Sequence, residues 1–213
     1  MPRIKKRVEY HHQPSTHEIL LCLESMPKWV DILLENSDKA YCTFVKWYAD
    51  NDFFKERTDR VTVKQLSKDY GKADTVKITK WIAEVYNDIL DLHIEKPQVF
   101  KEEKGIRQNF YCKNNDDSAS ITMYLPVVPR MYEELKIPFL KGKLGVDFFW
   151  VCKVNYEIEN DELLITVWLR GGFANQYRDT LLQRAEFERV ISFYERYTKH
   201  DYELDDELRQ WYK

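Results

Sequence analysis

Glycine and proline are scarce, six and seven in 213 residues, and no stretch is biased enough toward Ser, Gly or Pro to serve as a long flexible linker. Order nearly throughout is expected. Close cysteine pairs are missing too. Cys22, Cys42, Cys112 and Cys152 lie twenty or more residues apart, three of them among bulky apolar residues. This spacing suits buried free thiols in a reducing compartment and gives neither a disulfide framework nor a Cys-based zinc site. Long apolar runs are absent: Ile19 to Leu23 is among the longest, far short of a membrane span, and the basic start MPRIKKRVEYHHQPSTHE has no apolar segment of signal-peptide length behind it. A cytoplasmic chain with no membrane partner is expected, or a nuclear one in a eukaryote. Charge of one sign does not dominate, because 33 Lys and Arg face 36 Asp and Glu. Any attraction to nucleic acid must therefore be local. No phosphate-binding loop, dinucleotide fingerprint, nucleophile elbow or zinc-protease motif occurs. The sequence accordingly points to no cofactor, no metal and no catalytic residue.

Apolar and aromatic residues, 44% and 15% of the chain, are ample for one sizeable core or two small ones. Ser15 or Thr16 with Glu18 offers a helix start, and Pro27 divides the helix that follows. Ile19, Leu20 and Leu23 fall on the first piece, and Trp29, Ile32 and Leu33 on the second. Ser37 or Asp38 is expected to cap a third helix carrying Tyr41, Phe44, Val45 and Tyr48. Thr62 to Tyr70 reads as a short helix stopped by Gly71. Ile78, Trp81, Ile82, Val85, Ile89 and Leu92 then form one face of a longer helix ending before Pro97.

The pattern changes after Gly105. Gln108 to Lys113 and Ala119 to Leu125 flank Asn114-Asn115-Asp116-Asp117 and read as a β-hairpin. Val127 to Gly145 is irregular, with a turn of helix expected at Met131 to Leu135. From Phe148 to Ile158 the even positions are apolar, so a long strand with one buried face is expected, returning after Asn160-Asp161 through Glu162 to Leu169. A helix from Asn175 to Tyr197 follows, with Tyr177, Leu181, Ala185, Val190, Ile191 and Tyr194 inward. The acidic tail from Asp201 suits a further short helix. The expected class is α+β: a helical N-terminal half, and a C-terminal half of antiparallel β-hairpins packed on a long helix. A division into 1–104 and 105–213 is possible, but no linker marks it, and one composite domain fits as well.

Residues 61–85, VTVKQLSKDYGKADTVKITKWIAEV, carry the one motif-like arrangement. Thr62 precedes the first helix, Leu66-Ser67 supplies an apolar and a small residue, Gly71 makes the turn, and Val76, Ile78, Trp81 and Ile82 lie on the second helix. This segment resembles the helix-turn-helix of bacterial DNA-binding proteins. With the hairpin of residues 108–125 behind it, the order resembles a winged helix over about sixty residues. The resemblance implies that Thr75, Lys77, Thr79 and Lys80 face base edges. Between Lys55 and Lys80 there are eight Lys or Arg against four Asp or Glu, so Lys64, Lys68 and Lys72 join these as phosphate-contacting candidates.

The segment departs from the motif in having Lys72 where an apolar residue is usual, a lengthened turn, and an acidic stripe of Glu84, Asp88, Asp91 and Glu95 on the second helix. The same residues suit a packed helical pair with a solvated face. Weaker candidates are the basic start (Arg3, Lys5, Lys6, Arg7), the histidines His11, His12 and His17, a nuclease-like face of Asp147, Lys153, Glu157 and Glu159, and an anion-holding turn at Arg170-Gly171-Gly172. Fourteen Tyr and six Trp offer a different reading, aromatic anchors for self-association or a protein partner.

Overall fold

The structure is a computed structural model and describes residues 9–51, 61–102, 105–159, 162–199 and 201–212. The basic start, the Asn160-Asp161 turn and residues 55–60 of the basic stretch lie outside them. The chain is α+β. Among the described residues, α-helices α1 (Thr16–Glu24), α2 (Pro27–Glu35), α3 (Cys42–Asp50), α4 (Val63–Tyr70) and α5 (Thr75–Glu95) precede a five-stranded sheet. Its strands are β1 (Ile106–Asn114), β2 (Asp117–Leu125), β3 (Glu134–Lys136), β4 (Phe148–Glu159) and β5 (Glu162–Gly171), with the short α6 (Lys141–Leu144) between β3 and β4. The spatial order is β2-β1-β5-β4-β3, and β1 runs parallel to β5 while every other pair is antiparallel. A parallel pair needs a crossover, which the connection through β2, β3, α6 and β4 supplies.

The helix boundaries follow local chemistry. Ser15 accepts from Glu18 N at 3.2 Å, and Pro27 occupies the first turn of α2, where its missing N–H costs nothing. The start of α3 differs from expectation. Neither Ser37 nor Asp38 caps it, and the helix begins at Cys42. Tyr41 turns inward, with no exposed surface, and donates its hydroxyl to Asp88.

One hydrophobic core runs from Ile19 on α1 to Leu169 on β5, so residues 9–173 share a compact unit and the chain does not divide near residue 104. The layer under the sheet is built by the N-terminal helices, chiefly α5. Phe110 and Cys112 of β1, Ile121 of β2 and Ile165, Val167 and Leu169 of β5 point into this layer.

The phase of β4 reverses along its length. A register shift between Val151 and Lys153 marks a bulge at Cys152, so Phe149 and Val151 face inward before it and Val154 after it. Phe148 is therefore 41% exposed although it shares the expected parity. Past Val154 the β4–β5 ribbon outruns its neighbour, because β1 pairs with β5 only as far as Asn109–Thr166. Tyr156, Ile158 and Leu163 stay exposed there. Residues 131–135 hold no helical turn. Tyr132 N donates to Val151 O and Val151 N to Glu133 O, which draws the segment alongside β4 as an edge strand.

The second compact unit, 174–213, contains α7 (Gln176–Phe187), α8 (Phe193–Thr198) and α9 (Asp201–Trp211). The expected helix 175–197 breaks at Glu188–Ser192. Arg189 takes φ +60°, and Ser192 with Glu195 forms a capping box that restarts the chain. Leu182, Ala185, Ile191, Leu204 and Leu208 make its core, while Tyr177 and Tyr194 stand outside it.

Candidate nucleic-acid interface

The helical pair forms within a three-helix cluster. Thr62 accepts from Gln65 N at 3.2 Å to start α4, and Gly71 ends it at φ +66°, a conformation that costs a side-chain-bearing residue about 1 kcal/mol or more. Ser67 does more than permit a close approach, since its hydroxyl donates to Ala73 O at 2.8 Å and ties the turn to α4. Asp74 then accepts from Lys77 N at 2.8 Å and starts α5. Rings lock the cluster from inside: Phe44 of α3 contacts Tyr70 of α4 at 5.3 Å and Trp81 of α5 at 5.8 Å, and Trp47 contacts Tyr70 at 5.1 Å. Leu66 and Ile78 are fully buried beside them.

This packing puts the polar positions outside. Lys64, Lys68, Lys72, Thr75, Lys77, Thr79 and Lys80 are all exposed, and Val76 among them is 76% exposed. Lys77 lies over the Trp81 ring at 5.0 Å and Lys72 near Tyr70 at 5.9 Å, so the aromatic cluster steers two of the ammonium groups. Lys80 pairs with Glu84 at 3.6 Å.

The acidic stripe does not act as one surface. Asp88 is engaged internally, accepting from the Tyr41 hydroxyl at 2.6 Å and from Lys39 at 2.8 Å. Burial, with Asp88 second, pushes the Tyr41 hydroxyl well above its ordinary pKa, and Asp88 holds the Lys39 ammonium above its own. Asp91 and Glu95 remain exposed toward the far end of α5.

The hairpin β1–β2 is not a free wing. β1 is an interior strand, and the hairpin tip is occupied by the segment Tyr10–His12. Tyr10 N donates to Asp116 at 2.9 Å, His12 N to Asp117 at 2.6 Å, and the His11 ring meets Asp117 at 2.8 Å. Burial works to raise the Asp117 carboxyl, but the His12 N–H and the His11 ring outweigh it and hold the pKa below its ordinary value. The hydrogen bonds that the His11 ring donates to Asp117 and Glu9 raise its pKa in turn. His12 faces Glu18 at 3.3 Å, so the neighbouring histidines address different carboxylates rather than one point.

The other candidates separate in space. Asp147 pairs with Lys136 at 3.9 Å, ten residues and one bulge away from Glu157, or roughly 33 Å along an extended strand, too far to share a metal. Gly172 N donates to Phe148 O at 2.9 Å and is not free for an anion. Arg178 belongs to the second unit, where Asp205 and Asp201 hold it.

One buried polar group was not legible in the sequence. His93, on the inward side of α5, stacks on Phe100 at 3.6 Å and meets the Trp29 ring at 4.3 Å. Its Nδ1 accepts from Thr122 N at 3.2 Å, which closes the outer edge of β2 and leaves the proton on Nε2. Burial pushes its pKa down to about 3. No family model, curated protein or solved structure matches the chain.

Proposed function

We propose that this protein binds nucleic acid through α4 and the first turns of α5. The observation that carries the proposal is the aromatic-locked α3–α4–α5 cluster, on which Lys64, Lys68, Lys72, Thr75, Lys77, Thr79 and Lys80 are each exposed. In this reading the lysines contact phosphates, while Thr75, Thr79 and the N-terminal turn of α5 approach base edges. Double-stranded DNA is the target, and regulation, replication or packaging of it the process. The engagement of Asp88 and Glu84 with lysines removes part of the repulsion that the acidic stripe would otherwise offer. Lys77→Glu combined with Lys80→Glu tests it by fluorescence anisotropy with duplex oligonucleotides. A large fall in affinity is expected, with the salt slope reduced by about 1.8 for two lost phosphate contacts; affinity equal to wild type would sink the proposal.

A second reading, self-association or a protein partner, is favoured by the second unit. Around its small core stand Phe187, 88% exposed, with Phe193, Tyr202 and Trp211 also exposed, all residue types that anchor interfaces. Light scattering across a dilution series addresses it, and a monomer at every concentration, with no partner captured, counts against it.

A further inference from the structure

The sheet face turned away from the helices carries a pattern that only the strand register makes visible. Same-face residues on β2, β1, β5 and β4 line up in rows. Ser118, Lys113, Arg170 and Trp150 form the first row. Ser120, Tyr111, Trp168 and Lys153 form the second, and Thr122, Asn109, Thr166 and Asn155 the third.

The first row sets two cations, Lys113 and Arg170, directly side by side on adjacent strands, about 4.8 Å apart in the hydrogen-bonding direction. Like charges in that relation destabilise a sheet, and among the described residues neither has an ion pair to relieve it. The second row places an aromatic pair, Tyr111 and Trp168, with ring centroids 4.7 Å apart. Trp168 is 37% exposed although a water-facing strand position favours a polar residue, and Lys153 lies 5.9 Å from its ring. The third row holds two half-buried amides: buried Thr122 donates its Oγ1 to Asn109 Oδ1 at 3.1 Å and so fixes the direction of that amide, and Asn155 Nδ2 donates to Glu157 Oε1 at 2.6 Å. At the edge of these rows, next to the end of α5, a groove of about 440 Å³ is lined by Asn109, Tyr111, Thr122 and Trp168 together with Ile94 and Pro97. Between Thr166 and Arg170 of β5, and along the paired lengths of β1 and β2, this face bears no carboxylate.

Cations for phosphates, exposed rings for base faces and fixed amides for base edges are the three parts of a single-strand platform on a sheet. We infer that the outer face of β2-β1-β5-β4 binds single-stranded nucleic acid, with bases stacked on Trp168 and Tyr111 and phosphates held by Lys113, Arg170 and Lys153. This surface shares no residue with the α4–α5 interface, so the two readings stand or fall separately.

The test is anisotropy of a labelled mixed-sequence single-stranded 12-mer and of its duplex, with the full chain in low salt. Trp168→Ala is expected to weaken single-strand binding roughly 10- to 100-fold. Lys113→Glu with Arg170→Glu, a surface change that leaves the rings in place and guards against misfolding, is expected to weaken it and to reduce the salt slope by about 1.4. Lys77→Glu with Lys80→Glu should leave single-strand binding intact while removing duplex binding. Loss of duplex binding alone, or its absence in the wild type, bears on the α4–α5 reading and not on this one. Any of three results overturns the inference: no single-strand binding by the wild type, equal binding by both sheet variants, or competition by a free mononucleotide or a poly-glutamate peptide as effective as by the 12-mer.

Discussion

His93→Gln should flatten the pH dependence of stability between pH 7 and 5. In the folded chain the imidazole is 3% exposed, stacked on Phe100 and committed as a neutral acceptor to Thr122 N, and burial pushes its pKa down to about 3 from an ordinary 6.5. The unfolded chain therefore binds a proton at this side chain below pH 6.5 that the folded chain refuses until near pH 3. Stability is full above 6.5, falls as the pH drops toward 3, and levels off below. At pH 5 the unfolded form has gained about 1.5 pH units of protonation, worth about 2 kcal/mol. The window matters: the depressed carboxylates Asp117 and Glu195 lose their contribution only at lower pH, and His11, raised by Asp117, acts in the opposite direction and is solvent-screened. Urea unfolding of wild type and variant at pH 7 and 5 reads the difference directly. Glutamine keeps an acceptor for Thr122, so a folded variant is expected, with the loss between the two pH values smaller by about 2 kcal/mol. An equal loss in both proteins would refute the buried, neutral His93.

Three further outcomes are expected. Tyr41→Phe removes the hydroxyl that Asp88 accepts from, and should cost about 2 kcal/mol in chemical denaturation, as for a hydrogen bond to a charged group. Gly71→Ala forces a side chain into a left-handed turn and should cost about 1 kcal/mol, with thermal unfolding as the readout and no change if the α4–α5 turn is built otherwise. Lys77→Glu with Lys80→Glu should leave the thermal midpoint near wild type, because both side chains are exposed, while duplex binding falls.

Much of the fold is written in local chemistry. Ser15, Pro27, Thr62, Gly71, Asp74 and Pro97 punctuate the helices where their side chains or missing donors allow, and the 3.6-residue pattern of α5 names its buried face. The hairpins are legible from their turn clusters. What escapes is whatever depends on partners distant in sequence. The even-position alternation of β4 looks continuous, yet the bulge at Cys152 reverses its phase, and Phe149 and Val151 carry the inward face that Phe148 and Trp150 were expected to carry, Trp150 being buried on the opposite face. The long C-terminal helix is broken by Ser192 and Glu195, a capping box inside an unbroken helical spacing. β3 exists only because β4 offers it an edge.

The candidate interface shows the same division. The exposure of its seven residues could be read from the sequence, since a helix start and a turn place them outside without reference to anything else. The engagement of Asp88 by Tyr41 and Lys39 could not, because those residues are forty or more positions away. The rows on the outer sheet face were equally hidden. Arg107, Asn109, Tyr111 and Lys113 alternate visibly along β1, but nothing local says that β5, more than fifty residues later, lies parallel beside them.

Anisotropy of the wild-type chain with pooled duplex oligonucleotides at 50 and 200 mM salt tests the α4–α5 interface most directly. If Lys64, Lys68, Lys72, Lys77 and Lys80 each neutralise a phosphate, affinity should fall roughly 500-fold between the two conditions. No duplex binding at 50 mM, or binding that does not weaken with salt, would contradict the account.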